Sequence, residues 1–491
     1  MSDSQVNQKM AQGAVWMVAF MWVVRGLGFV STLILVRLLG PEDFGMVAMA
    51  MSFLIMAELL SAFGFDIAII HDQKATKADF DTAWSAEVVL GLLIGLIMWA
   101  AAYPISLFYE QPELVALISV LAISPVAFGF RNIGVVAFRK ELEFHKEFLF
   151  QVSIKVVSFV VVIPLAYILR SYWALVVGMV TSKVVGTVLS YWVHPFRPSF
   201  TFLRIRRLIS FSGWLLINNV VNYLKERSTD FFIGKMYGPS ALGIYNIGYE
   251  FSNIPVSEIG SPINRALLPG FAKLQNDRNA VVASFNQVIG LLAVICIPAG
   301  VGLSMVAPIF VPVVFGEAWL SVVPIMEILG LNSVFIVFHG TVVTLLIAIG
   351  RTRVVTIANA FFVAVLFVSL FLLVPEHAGR GAAISVAIAA ISSTPVYLWC
   401  LHRCLAIGVR HYLSIIMRPL LAGIVMAVPV RTFLEHEAAE MTDNGVLILL
   451  IAVGIGGVAY TCCLWAFWLL FGRPEGAESL VYGKLRERFV T

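Results

Sequence analysis

Eight cationic side chains sit inside long apolar runs of this 491-residue chain: Arg25, Arg131, Lys155, Lys183, Lys225, Arg227, Arg265 and Arg418. The acidic residues in such runs include Glu58, Asp66, Glu87, Glu147, Glu226, Asp230, Glu250, Glu258 and Glu327. A charge at the centre of a bilayer costs at least ~2.5–3.5 kcal/mol even on the gentler insertion scale, so each is a functional candidate. Arg418, Glu87 and Glu147 lie near the ends of their runs, where long side chains reach the interface. Arg25, Glu58, Lys183, Lys225, Arg227 and Glu250 lie deeper. Buried ion pairs that fix helix packing would explain any one of these. They explain the set less well, because cations outnumber anions among the deep groups of the first, fourth, fifth and sixth apolar runs. An unpaired positive excess needs water or an anionic ligand.

Polar residues accompany the charges. Asn218, Asn222, Lys225 and Thr229 recur at helical spacing, as do Asn246, Glu250, Asn253, Ser257, Ser261 and Asn264. A polar stripe facing lipid is prohibitive, so each faces protein or a wet cavity. The candidate site therefore has three parts. Arg25, Arg131, Lys183, Lys225 and Arg227 form a cationic wall. Asn218, Asn222, Tyr223, Asn246, Tyr249 and Asn253 form a polar lining that could hydrogen-bond to or stack on sugars. Glu58, Asp66, Glu226, Asp230, Glu250 and Glu258 are titratable groups that could couple movement to protons or to the membrane potential. A cationic wall suits phosphates, with Arg giving forked contacts and Lys a point charge. A sugar carried on a lipid pyrophosphate has that charge, a polar glycan and a tail that need never leave the lipid.

The elements that must position these groups are membrane helices. Hydrophobic residues make up 60% of the chain and charged ones 13%, against about 45–50% and about 25% in soluble domains. The apolar runs divide into about fourteen spans, near 12–37, 44–70, 84–108, 113–138, 146–168, 172–194, 210–235, 240–268, 280–313, 318–350, 352–374, 378–401, 411–431 and 444–471. Each can cross roughly 30 Å of hydrocarbon. Spans nine and ten are longer than needed, which predicts tilt or kinks. Pro255 and Pro262 should free backbone carbonyls in the eighth. With the N-terminus inside, 20 loop Lys and Arg fall inside and 5 outside, alternating loop by loop. This predicts that both termini are cytoplasmic. The first span is too long for a cleaved leader.

Gly40-Pro41-Glu42-Asp43-Phe44-Gly45 follows span one, and Gly238-Pro239-Ser240-Ala241-Leu242-Gly243 follows span seven. This repeat predicts two pseudo-symmetric six-helix lobes, 1–200 and 201–408, then two extra helices over 409–471 and a tail over 472–491. The cavity should be built by spans one, two, seven and eight, with contributions from four to six. Cys400, His402 and Cys404 read as ordinary residues at a helix end rather than as metal ligands. Neither a metal nor a cofactor is expected, no disulfide framework is suggested, and nucleic acid is not an expected partner.

Several stretches together carry a family resemblance. They are Phe63-Gly64-Phe65 through Ile69-Ile70, Phe138-Arg139-Lys140-Glu141-Leu142-Glu143-Phe144, Val221-Asn222-Tyr223-Leu224, Leu267-Leu268-Pro269-Gly270-Phe271-Ala272-Lys273-Leu274-Gln275, and Phe310-Val311-Pro312-Val313-Val314-Phe315-Gly316-Glu317. With them the chain resembles the Wzx-type, colanic-acid-exporter-like polysaccharide transporters of the multidrug/oligosaccharidyl-lipid/polysaccharide flippase superfamily. The match covers roughly the first two-thirds of the chain; spans eleven to fourteen match only in hydropathy. The resemblance implies an all-α, V-shaped integral membrane fold that works by alternating access as a monomer. It implies flipping of undecaprenyl-pyrophosphate-linked repeat units across the bacterial inner membrane for exopolysaccharide, capsule or O-antigen synthesis. The polymerase and chain-length/export proteins of the pathway would be its partners beside membrane lipids. An arginine on the first helix serves the substrate in relatives, and Arg25 occupies that kind of position.

Two other readings fit less well. An organic-cation antiporter of the same superfamily should have an acidic or aromatic lumen, not a basic one. A membrane enzyme of polysaccharide assembly needs a catalytic cluster at one face; the largest outside loop here is about a dozen residues with a single histidine, His436.

Overall fold

The computed structural model describes the chain apart from residues 1–2, 60–64, 73, 206–212, 407, 437–440 and 473–491. Asp3–Leu38 is the first span, Pro41–Glu58 with Phe65–His71 the second, and Lys77–Tyr109 the third. Leu114–Leu121, Ile123–Gly129, Ile133–Val136 and Ala137–Lys140 together make the fourth, Phe144–Leu169 is the fifth and Trp173–Val193 the sixth. Gly213–Ser252 holds the seventh and the start of the eighth, which continues through Pro255–Gly260 and Ser261–Leu274. Arg278–Phe310 is the ninth and Val323–Ala348 the tenth. Thr352–Leu405 holds the eleventh and twelfth, Val409–His436 is the thirteenth and Met441–Leu470 the fourteenth. The described residues are almost entirely helical.

By length and apolarity nine of these helices qualify as membrane-crossing, or ten with the broken fourth, among the described residues. The difference from fourteen has physical causes. Thr352–Leu405 runs 54 residues, about 80 Å at 1.5 Å per residue, far beyond one bilayer. It breaks at Ala378 (φ 47°, ψ −131°) just after Pro375, so it is two spans. Gly213–Ser252 likewise breaks at Gly238 (φ 75°, ψ −172°), followed by Pro239. Tyr245 lies within the influence of Thr229 and Asp230, so the chain doubles back there. The seventh and eighth spans are simply too polar to pass a hydropathy test.

The proline-rich places deviate as the prolines require. Pro255–Gly260 is a single π-helical turn within the eighth span, the ninth ends in a second such turn at Val311–Phe315, and the tenth begins with the 3-10 turn Glu317–Val322. The fourth span is bent by 66° between Gly129 and Ile133. Asn132 answers the broken backbone there. Its Oδ1 accepts the Gly134 N–H (2.9 Å), its Nδ2 donates to His194 O (3.3 Å) and Phe196 O (2.8 Å), and its own N–H donates to Ser190 Oγ (2.9 Å). A lipid interior supplies no such partners, so the side chain substitutes for them.

The chain forms two compact units, Met1–Tyr223 with Tyr237–Gly243, and Leu224–Met236 with Ile244–Thr491. Within the first, the two Gly-Pro turns meet. A Cβ on Gly45 would overlap the carbonyl of Pro239, and one on Gly243 the carbonyl of Pro41. Asp43 caps the second span, accepting the Gly40 N–H (3.0 Å) on one oxygen and the Tyr172 N–H (2.7 Å) on the other. Within the second unit, the ninth, thirteenth and fourteenth spans share an apolar core around Ile297, Met426 and Ala452, with the Tyr460 hydroxyl donating to Val294 O (2.9 Å).

Candidate functional site

The first unit gathers its deep cations near one level. The first and fifth spans run parallel: Trp16 packs on Phe148 (5.1 Å between rings), Lys155 Nζ reaches the Gly28 position, and Leu35 meets Val162 and Ala166. Arg25 lies one turn before Gly28, and so about one turn from Lys155. The fifth and sixth spans run antiparallel, with Ile154 against Gly186 and Ser158 Oγ donating to Gly178 O (3.2 Å). That register puts Lys183 within about one turn of Lys155. Lys183 Nζ stands 5.1 Å from the Phe128 ring centroid. Among the described residues neither lysine has a carboxylate within 4 Å. Lys155 was among the eight intramembrane cations but not in the cationic wall drawn from the sequence; its neighbours on spans one and six bring it in.

Arg131 has different surroundings from those expected of a cationic wall. It is buried, and its guanidinium takes both oxygens of Asp66 (3.1 and 3.2 Å), with Glu87 at 3.8 Å. Arg139 extends the cluster to Asp66 (3.7 Å) and to Glu147 (3.5 Å), which accepts from Gln151 Nε2 (3.0 Å). Two cations thus meet three carboxylates. Arg131 also lies over Phe128 (4.5 Å), the ring that Lys183 faces. Asp66, named as a coupling candidate, is bound into this cluster. Glu58 is half-buried on the second span. The Tyr223 hydroxyl donates to Ser52 O (2.8 Å) and is buried, while Asn222 is exposed. The side chain of Asn218 lies outside the described residues.

In the second unit, Lys225 Nζ stands 4.5 Å from the Phe362 ring centroid with no carboxylate within 4 Å among the described residues. Its neighbour Arg227 pairs with buried Asp230 one turn on (3.2 Å). Glu226 is exposed beside them. On the facing eighth span Tyr249 stacks on Tyr245 (6.2 Å) and lies within the field of Glu226, Arg227 and Asp230. Asn246 has a buried Nδ2 without a hydrogen-bond partner. Asn253 is half-buried, and Glu250 and Glu258 are exposed. Ser257 Oγ hydrogen-bonds to Glu258 (3.1 Å). Sequence reasoning therefore found the seventh–eighth hairpin but missed one group behind it: His339 of the tenth span, the one histidine more than a turn inside a predicted span.

Cys400 is buried with Tyr397, Leu401 and Leu405 in an apolar core, and no cluster of three His, Cys, Asp or Glu side chains could hold a metal among the described residues.

The site thus lies in an all-helical membrane fold, with Lys183 and Lys225 against aromatic rings. In fold the chain is similar to the lipid II flippase MurJ in its inward closed conformation, with a TM-score of 0.76, 14% identity, and 93% of this chain and 99% of that one covered. It is also similar to an inward-facing multidrug resistance MATE transporter of the MOP superfamily, with a TM-score of 0.57, 16% identity and coverage of 80% and 98%. The model of the family described as "Polysaccharide biosynthesis protein" matches residues 34–324. Three relatives share 26% identity. They are the lipopolysaccharide biosynthesis protein WzxC of Escherichia coli K12 (72% of this chain, 73% of that one), the teichuronic acid biosynthesis protein TuaB of Bacillus subtilis 168 (87% and 88%), and the succinoglycan biosynthesis transport protein ExoT of Rhizobium meliloti 1021 (89% and 88%). The chain belongs to this polysaccharide biosynthesis family.

Proposed function

We propose that the protein flips lipid-linked oligosaccharide repeat units, carried on undecaprenyl pyrophosphate, across the bacterial inner membrane by alternating access and without covalent chemistry. The carrying observation is that Lys155, Lys183 and Lys225 lie on membrane helices with aromatic rings or glycine as neighbours and no carboxylate within 4 Å among the described residues. An ionised lysine so placed needs a wet surface or an anion, and a pyrophosphate supplies the charge. Arg25, about one turn from Lys155, and Arg227 beside Lys225 complete the phosphate-facing set. Arg131, by contrast, stays with Asp66 and Glu87 and meets no substrate. Asn218, Asn222, Tyr223, Asn246, Tyr249 and Asn253 are assigned to the glycan, and Glu58, Glu226, Asp230, Glu250 and Glu258 to coupling.

The same reading keeps both termini in the cytoplasm, on the strength of the Lys and Arg asymmetry. It keeps the boundaries 1–200, 201–408, 409–471 and 472–491, and a monomer served by the polymerase and chain-length/export proteins of its pathway. The test is a clean deletion in a strain without a paralogue. Lipid-linked repeat units should accumulate on the inner leaflet and polymer export should stop. Normal export with no accumulated intermediate would defeat the proposal.

A further inference from the structure

His339 is 1% exposed, and its two ring nitrogens are in different situations. Nε2 lies 3.0 Å from Thr394 Oγ1. The single hydroxyl hydrogen of Thr394 is already committed, donating to Ala390 O (3.0 Å). With that hydrogen directed at Ala390 O, Thr394 Oγ1 accepts from His339 Nε2, and this tautomer leaves Nδ1 with a bare lone pair. No hydrogen-bond partner reaches this buried Nδ1. An unpaired buried acceptor is costly, and a proton is the smallest ligand that turns it into a donor.

The groups around the ring explain when a proton would be held. Tyr397 of the twelfth span stacks on it (4.2 Å, 28°), and its hydroxyl is spent on Asn359 Oδ1 (2.8 Å). Phe338 contacts Tyr412 of the thirteenth span (4.4 Å), Gly340 faces Asn264 of the eighth, and Val337 shares an apolar cluster with Cys296 of the ninth. All of these are neutral. The charged group whose field reaches His339 is Lys225, which lies over Phe362 one turn from Asn359. A cation beside it opposes an imidazolium. An anion on Lys225 removes that opposition.

We propose that His339 is the proton acceptor of the transport cycle, linked to occupancy of Lys225: when an anionic phosphate group neutralises Lys225, Nδ1 takes a proton from solution, and when the phosphate leaves, the proton is released. No bond other than N–H forms or breaks. By reciprocity the bound proton strengthens phosphate binding by the same factor. This linkage rests on the reading of Lys225 as phosphate-facing.

The test uses full-length protein in nanodiscs, with undecaprenyl pyrophosphate as probe. Calorimetry near pH 7 in buffers of different ionisation enthalpy counts the protons taken up on binding. His339→Gln retains a donor for Thr394 and lacks a basic nitrogen. Wild type should take up more protons per bound probe than His339→Gln, by up to about one, and its affinity should rise as pH falls while that of the variant stays flatter. Equal uptake in both proteins overturns the linkage and leaves the Lys225 reading standing. Lys225→Gln should weaken probe binding about tenfold or more. Unchanged affinity in that variant removes the phosphate reading first, and the linkage with it. Should His339→Gln fail to fold, the pH dependence of wild-type affinity decides: flat affinity from about pH 6 to 8 overturns the proposal.

Discussion

Gly45 and Gly243, equivalent residues of the two Gly-Pro turns, each lie against the other turn's proline carbonyl. The contact is reciprocal, and neither position has room for a methyl group. Gly45→Ala and Gly243→Ala should each cost about 1–3 kcal/mol, the usual range for overpacking. Gly454→Ala, with open space around its Cβ position, should cost little. Thermal unfolding of the three variants in one detergent checks this. Equal midpoints would refute the tight fit.

Arg131 neutralises Asp66 and Glu87 away from water. Arg131→Met leaves Asp66 with only the longer Arg139 contact (3.7 Å) and takes from Glu87 its paired cation, and breaking such a buried pair costs about 3–5 kcal/mol. Arg131→Met combined with Asp66→Leu should recover part of that loss. Membrane-inserted protein and its unfolding midpoint are the readouts; a single variant as stable as wild type would contradict the ion cluster.

Lys155 and Lys183 should behave differently from Arg131. Lys155→Gln and Lys183→Gln should lower polymer export at least tenfold while leaving the amount of inserted protein near wild type. Lys183→Arg should retain most activity, because its charge still faces Phe128. Complementation of a deletion strain, with immunoblotting for the protein, makes the measurement. Full export from both Gln variants would remove them from the site.

His194 follows the sixth span. Burial lowers the pKa of its imidazole below the ordinary value, and the neutral Nδ1 accepts the Phe196 N–H (3.1 Å). Its unfolded form binds a proton below about pH 6.5, so stability is full above that pH and declines as pH falls through the window beneath it. Wild type should lose more of its unfolding midpoint than His194→Gln between about pH 7.5 and 5.5. Parallel losses would exclude this contribution.

The membrane spans were legible because bilayer thickness imposes a length on each apolar run, and a break such as Ala378 after Pro375 falls where the run would otherwise be two spans long. The repeat was legible because glycine and proline mark turns whatever surrounds them. The partners of a charge were not. Arg131 and Lys183 look alike in sequence, each a cation in an apolar run, and Phe128 lies near both. Only the fold brings Asp66 and Glu87 to one and not to the other. Lys155 required the parallel register of spans one and five. His339 required the committed hydrogen of Thr394, 55 residues away. A lone histidine in an apolar run carries no such information.

The amide of Asn132 ties Gly134, beyond the break in the fourth helix, to His194 and Phe196 after the sixth span, while Thr187 and Tyr191 of the sixth span donate to Ala127 O and Phe130 O on the near side. A splint tied at both ends cannot act as a joint. The bend is therefore a permanent feature of the first unit, and Arg131, the next residue along, is held at a set place in the frame. Any working motion of the first unit must be sought elsewhere than at this elbow, which behaves as part of the chassis.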